Sequence, residues 1–237
     1  VGKTYSIRKY AKRHGLNLIE FNFLLQPETM DIINGAGDVK ELLLRISAYS
    51  RIPLVQSRTL IFFDEVQECP DVMTWVKALV DEGSYIYALS GSLLGVELKD
   101  IRSVPVGYMS EMQVYPMDFE EFVSAVGVPE NVLDAVKKSW SEKTLVDAYI
   151  HEKMMQLFQL YIIVGGMPAA VQTYIDSNNI QNVVKEQRDI INLYKKDIAR
   201  YDQDVRKKLY INEVFDLIPS ELNAKNKRFI LKRLNEN

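Results

Sequence analysis

The sequence predicts an α/β domain on a parallel sheet, followed by an all-helical region. Three observations predict it. Short apolar strands alternate with helices as far as Tyr115. One of these strands ends in paired acids, Asp64-Glu65, at the edge where ligands bind in sheets of this kind. After Pro116 the chain carries five helical segments with no strand between them.

The elements follow in order. Lys3–Arg13 has the spacing of a basic helix with Ile7, Tyr10 and Ala11 on one face, and Gly15 stands where a helix ends. Leu16–Phe23 alternates apolar and polar residues, the pattern of a strand. Pro27 to Asp38 carries turn signals, with room for one helical turn at Met30–Ile33, and Val39–Ala48 is a short amphipathic helix. Thr59–Phe63 is an apolar strand. Asp71 is placed to cap a helix over Val72–Asp81 that Gly83 closes. Ser84–Leu89 is a further strand, and Ser110–Tyr115 is expected to be the last one before Pro116.

Beyond it, helices are expected over Asp118–Ala125, Glu130–Trp140, Val146–Val164, Ala169–Ile175 and Ile180–Tyr201. The aromatic stretch Phe158–Tyr161 has the spacing of a buried helix. Val205 to Leu234 suggests two or three more helices rich in Lys and Arg.

Composition narrows the function classes. An apolar fraction of 47% and a charged fraction of 26% are those of an ordinary globular protein. A formal net charge of −3 supplies no global basic field for nucleic acid or membrane. The single Cys69 rules out an intramolecular disulfide, and with only His14 and His151 besides it a zinc site is not expected. The charged segment Lys3–Arg13 stands where a signal peptide would be apolar. The longest apolar stretch, Leu157–Val171, is broken by Gly165-Gly166 and Pro168. The expectation is a soluble cytoplasmic protein with no membrane partner.

Three strand or helix ends carry chemistry. Gly2-Lys3-Thr4 opens a helix, as the end of a phosphate-binding P-loop does. There glycine lets backbone N–H groups face phosphate, lysine reaches the β/γ-phosphates, and the hydroxyl holds Mg²⁺ where the helix dipole favours an anion. Taken alone, this triplet is a weak signal. The apolar strand Leu60–Phe63 delivers Asp64, suited to the Mg²⁺ shell, and Glu65, suited to polarise an attacking water. Ser90-Gly91-Ser92 ends a third strand, and Ser90 offers a hydroxyl for the γ-phosphate or the water.

Together these residues resemble the AAA-like branch of P-loop ATPases, and more closely a widespread prokaryotic group known as ATP-binding proteins. The resemblance rests on Gly2-Lys3-Thr4, Asp64-Glu65-Val66-Gln67, Ser90-Gly91-Ser92 and Pro105-Val106-Gly107. It continues through Tyr115-Pro116-Met117-Asp118-Phe119 with Glu121-Phe122, Gly165-Gly166-Met167-Pro168, and Asp197-Ile198-Ala199-Arg200-Tyr201. It implies a P-loop parallel sheet over 1–116 lacking its first strand, a helical lid over 117–204, and the start of a winged-helix-like segment over 205–237. It further implies that Gly166 and Pro168 touch the base side of a nucleotide; a simple helix break explains the same residues. Arg200 is either a γ-phosphate sensor or a salt-bridged helix residue.

The function expected on this basis is ATP binding and Mg²⁺-dependent hydrolysis, with Glu65 and Lys3 catalytic, Thr4 and Asp64 on the metal, and ATP and Mg²⁺ as cofactors. Gly2, Lys3, Thr4, Ser90, Gly166 and Pro168 make up the expected nucleotide site. The alternative is a nucleotide-dependent switch or DNA-associated regulator with slow hydrolysis, suggested by the helical domain with Gly166-Met167-Pro168 and by the basic run Lys225–Arg233, which a solvated face also explains. A protein or DNA client and homo-oligomerisation are left open. The sequence opens inside the phosphate loop, so a trimmed or partial chain that binds ATP poorly is the expectation for this stretch.

Overall fold

The computed structural model describes residues 2–91, 107–198 and 205–223. The chain divides into two compact units, Val1–Tyr115 and Pro116–Asn237.

The first unit is built on three parallel strands in the order β1-β2-β3: β1 Asn17–Asn22, β2 Thr59–Asp64 and β3 Ile86–Leu89. The register sets Phe21 beside Phe63 and Asn22 beside Asp64, and on the other side Phe63 beside Leu89. β2 is central and every one of its residues is buried, which is why Leu60–Phe63 reads as an unbroken apolar run.

Side chains alternate between the faces of a strand. Ile19, Phe21, Ile61 and Phe63 share one face and join Ile33 of α2 (Met30–Asn34), Leu42 and Ile46 of α3 (Val39–Ser50), and Val72 and Leu79 of α4 (Val72–Glu82) in one core. The rings of Phe21 and Phe63 stack at 5.6 Å. Each such side chain contributes about 1.5–3 kcal/mol by leaving water. Glu20 belongs to the opposite face, and Arg8 of α1 (Lys3–Arg13) donates to its carboxylate at 2.6 and 2.8 Å, so α1 covers that face.

The second unit is helical: α5 Phe119–Ala125, α6 Glu130–Glu142, α7 Ala148–Val164, α8 Pro168–Ser177, α9 Ile180–Ile198 and α10 Val205–Asn223. Asp118 and Glu121 form a reciprocal capping box at the start of α5, each side chain accepting from the other's backbone N–H. Phe122, Val123, Leu133, Val164, Ala170, Val171 and Val183 form its core. Among the described residues no single helix is long and apolar enough to cross a membrane; α7 and α8 together have the length and composition but meet at a 119° bend.

Four local expectations are corrected. Ser110–Tyr115 forms no strand, because both alternating sets are exposed and no buried face rewards pairing. Tyr10 is half exposed, its ring tilted against His14 at 4.3 Å instead of packing inward. Asp71 precedes α4 but its side chain makes no capping bond: its backbone is already helical (φ −62°, ψ −24°), whereas capping needs an extended residue. In α7, Phe158 is 40% exposed, so only part of the aromatic stretch is core.

Candidate functional site

The C-terminal ends of the three strands meet in one row. Register sets Asn22 beside Asp64, and the backbone bond from Ser90 N–H to Phe63 O (2.9 Å) continues the β2–β3 ladder to Ser90. All three therefore stand on the sheet face that α1 covers. Asp64 and Ser90 are 2% and 3% exposed, so their polar groups need partners inside the protein.

The Asp64 carboxylate collects those partners. Oδ2 accepts from Thr4 Oγ1 at 2.9 Å and from Asn22 Nδ2 at 3.1 Å. Oδ1 accepts from the Ser90 hydroxyl and from the Glu65 backbone N–H at 3.2 Å. Lys3 Nζ donates to the Gly91 carbonyl at 2.6 Å, which ties the first turn of α1 to the end of β3.

Sharp backbone turns place the two flanking groups. Gly2 precedes α1 with φ 75°, a conformation suited to glycine, and no side chain caps the helix N-terminus. Glu65 has φ 57° and ψ 48°, the left-handed region that a non-glycine residue seldom adopts. Its carboxylate accepts from Gln67 Nε2 at 2.5 Å.

Six of the expected residues, Gly2, Lys3, Thr4, Asp64, Glu65 and Ser90, are thus brought to one edge of the sheet. Gly166 and Pro168 belong to the second unit. There Met117 N–H donates to Gly166 O at 2.7 Å, Tyr161 OH donates to Met117 O at 2.8 Å, and a Cβ on Gly166 would stand 2.0 Å from Met117 O. Pro168 opens α8 at a position where its missing N–H costs nothing. Ser92, Arg200 and Lys225–Arg233 lie outside the described residues.

Sequence reasoning missed Asn22 and assigned no task to Gln67. A lone polar residue at a strand end is ordinary, and only the register reveals that Asn22 faces a buried carboxylate.

The donor set at the row is hard oxygen, from Asp64 and Thr4. Among the described residues there is no group of three or more His, Cys, Asp or Glu that could hold a metal by itself. Such a set fits an ion like Mg²⁺, which keeps waters and takes substrate phosphate oxygens as its other ligands. Cys69 is buried behind the sheet end, and burial pushes its thiol up to about 11, so it remains protonated near neutral pH.

Comparison with known proteins decides the family. Residues 1–123, more than half of the chain, match the family model described as an AAA domain. The chain belongs to the AAA domain family. Residues 155–237 match a second family model, described as a domain of unknown function. No curated protein and no solved structure matches the chain. The AAA domain contains the whole three-stranded sheet and the row of side chains at its edge, and membership is consistent with nucleotide binding.

Proposed function

We propose that this AAA domain binds ATP with Mg²⁺ and hydrolyses its γ-phosphate. The observation that carries the reading is the Asp64 carboxylate, buried at the end of β2 and bonded to Thr4, Asn22 and Ser90 from three other elements, with Glu65 next in sequence. Ordinary solvated acids at a strand end have no such convergence of partners.

The uncapped N-terminus of α1 offers backbone N–H groups to phosphate oxygens. Lys3 would exchange its bond to the Gly91 carbonyl for the β/γ-phosphates and offset their charge. Thr4 and Asp64 would hold Mg²⁺. The metal, when bound, withdraws charge from the γ-phosphate as a Lewis acid. Glu65 would orient a water for in-line attack on the γ-phosphorus and accept its proton, while the bond from phosphorus to the β-phosphate bridging oxygen breaks. The products are ADP and phosphate. The Ser90 hydroxyl, bonded to Asp64, would turn to the γ-phosphate or the water when ATP binds. Gly166 and Pro168 remain proposed contacts on the base side.

The test is phosphate release and nucleotide binding by the full-length protein carrying Glu65→Gln. ATP binding is expected to persist within a few fold while turnover falls by about 10²-fold or more, the usual scale for losing a general base. Turnover equal to the parent's would remove Glu65 from the reaction.

A further inference from the structure

Gln67 lies on the short 3₁₀ turn Val66–Glu68 that follows Glu65. A carboxylate only accepts hydrogen bonds, so the bond to Glu65 Oε2 at 2.5 Å must come from the amide nitrogen of Gln67. That fixes the amide's orientation and sends its oxygen, Oε1, into the protein. There Oε1 is buried with no hydrogen-bond partner among the described residues.

An unpaired buried carbonyl oxygen is unfavourable, and an apolar chain of the same length would avoid it. Among the described residues, then, no contact of Oε1 accounts for an amide at position 67. The reason lies at its other end. Glu65 holds a strained left-handed backbone, and among the described residues no other group bonds its carboxylate.

We propose that Gln67 is a positioning residue, which pins Oε2 of Glu65 and leaves Oε1 of that carboxylate to orient the attacking water. The inference rests on the reading of Glu65 under Proposed function. Fixing one oxygen removes the rotation of the carboxylate group that would misalign the other, and misplacement of a catalytic group by a fraction of an ångström lowers turnover without touching substrate affinity.

The experiment uses the full-length protein with Gln67→Met, Gln67→Glu and Glu65→Gln, measuring MgATP turnover, KM and the urea midpoint. Gln67→Met keeps the length and removes both amide atoms. It is expected to lower kcat about ten-fold or more, leave KM within two-fold, and leave the urea midpoint unchanged or raised, because the unpaired oxygen is gone. Gln67→Glu keeps size and polarity but replaces the donor by an acceptor, and is expected to lose at least as much kcat; it carries the test if the Met variant does not fold.

Parental kcat in Gln67→Met or Gln67→Glu, with Glu65→Gln inactive, overturns the inference and leaves the ATPase reading standing. A fall in kcat matched by a fall in the urea midpoint assigns Gln67 to structure and also overturns it. Parental turnover in Glu65→Gln defeats the reading of the site, and the inference with it.

Discussion

The hydroxyl of Thr4 lies 2.9 Å from Oδ2 of Asp64, joining the first turn of a helix to the end of a buried strand sixty positions away. The same carboxylate serves Asn22, Ser90 and the Glu65 backbone, so its removal strands several donors at once. Asp64→Ala is expected to destabilise the first unit by about 2–4 kcal/mol, since each buried donor left unpaired costs about 1–3 kcal/mol and some will be rehydrated through the space that opens. Urea unfolding followed by tryptophan fluorescence from Trp75 checks this, and a change below about 1 kcal/mol would contradict the network as drawn.

Gly166 sets a second expectation. A Cβ there meets the Met117 carbonyl at 2.0 Å, and that carbonyl belongs to backbone held by Gly166 itself and by Tyr161. Gly166→Ala should therefore destabilise the helical unit by about 2 kcal/mol or more, an overpacking cost that no flexible side chain can absorb. The thermal midpoint by circular dichroism is the measurement. An unchanged midpoint would mean that the Met117 strand of chain can move away without cost.

Cys69 gives a pH-dependent test. Burial raises its thiol to about 11 in the folded protein, above the roughly 8.5 of an unfolded chain. The folded state then binds the extra proton between these values, so the contribution to stability is fully present below about 8.5 and is lost as pH rises through about 11. Alkylation by iodoacetamide at pH 8 should be slow in the native protein and fast in urea. Equal rates in both would show the thiol to be accessible.

Much of the fold was legible because its signals are local. The basic helix Lys3–Arg13 and the apolar strand ending in Asp64 are found where spacing and glycine placement predicted them. The capping box was legible for the same reason, since Asp118 and Glu121 are three residues apart. The error at Ser110–Tyr115 is of the opposite kind: alternation describes a strand only when one face is buried, and burial is decided by the rest of the chain.

The candidate site divides along the same line. Lys3, Thr4, Asp64, Glu65 and Ser90 were legible as residue types at element ends. Asn22 was not, because its position depends on pairing with a strand forty-two residues away. Gly166 was read with two explanations open, and close backbone approach to Met117 accounts for the glycine by itself.

The complete burial of β2 has a consequence for how the site moves. Backbone amides in a strand covered on both faces exchange with solvent only when the whole unit opens, so Asp64 is carried by the most durable segment of the sheet. Lys3 and Thr4 ride on the first turn of a helix, where opening is cheapest. The row thus pairs a fully buried strand end with the first turn of a helix, joined by two side-chain bonds, to Asp64 and to the Gly91 carbonyl. On the reading proposed above, a phosphate arriving at the helix end would compete for Lys3, and its arrival should be felt first as a change in the protection of the α1 amides while those of β2 stay silent.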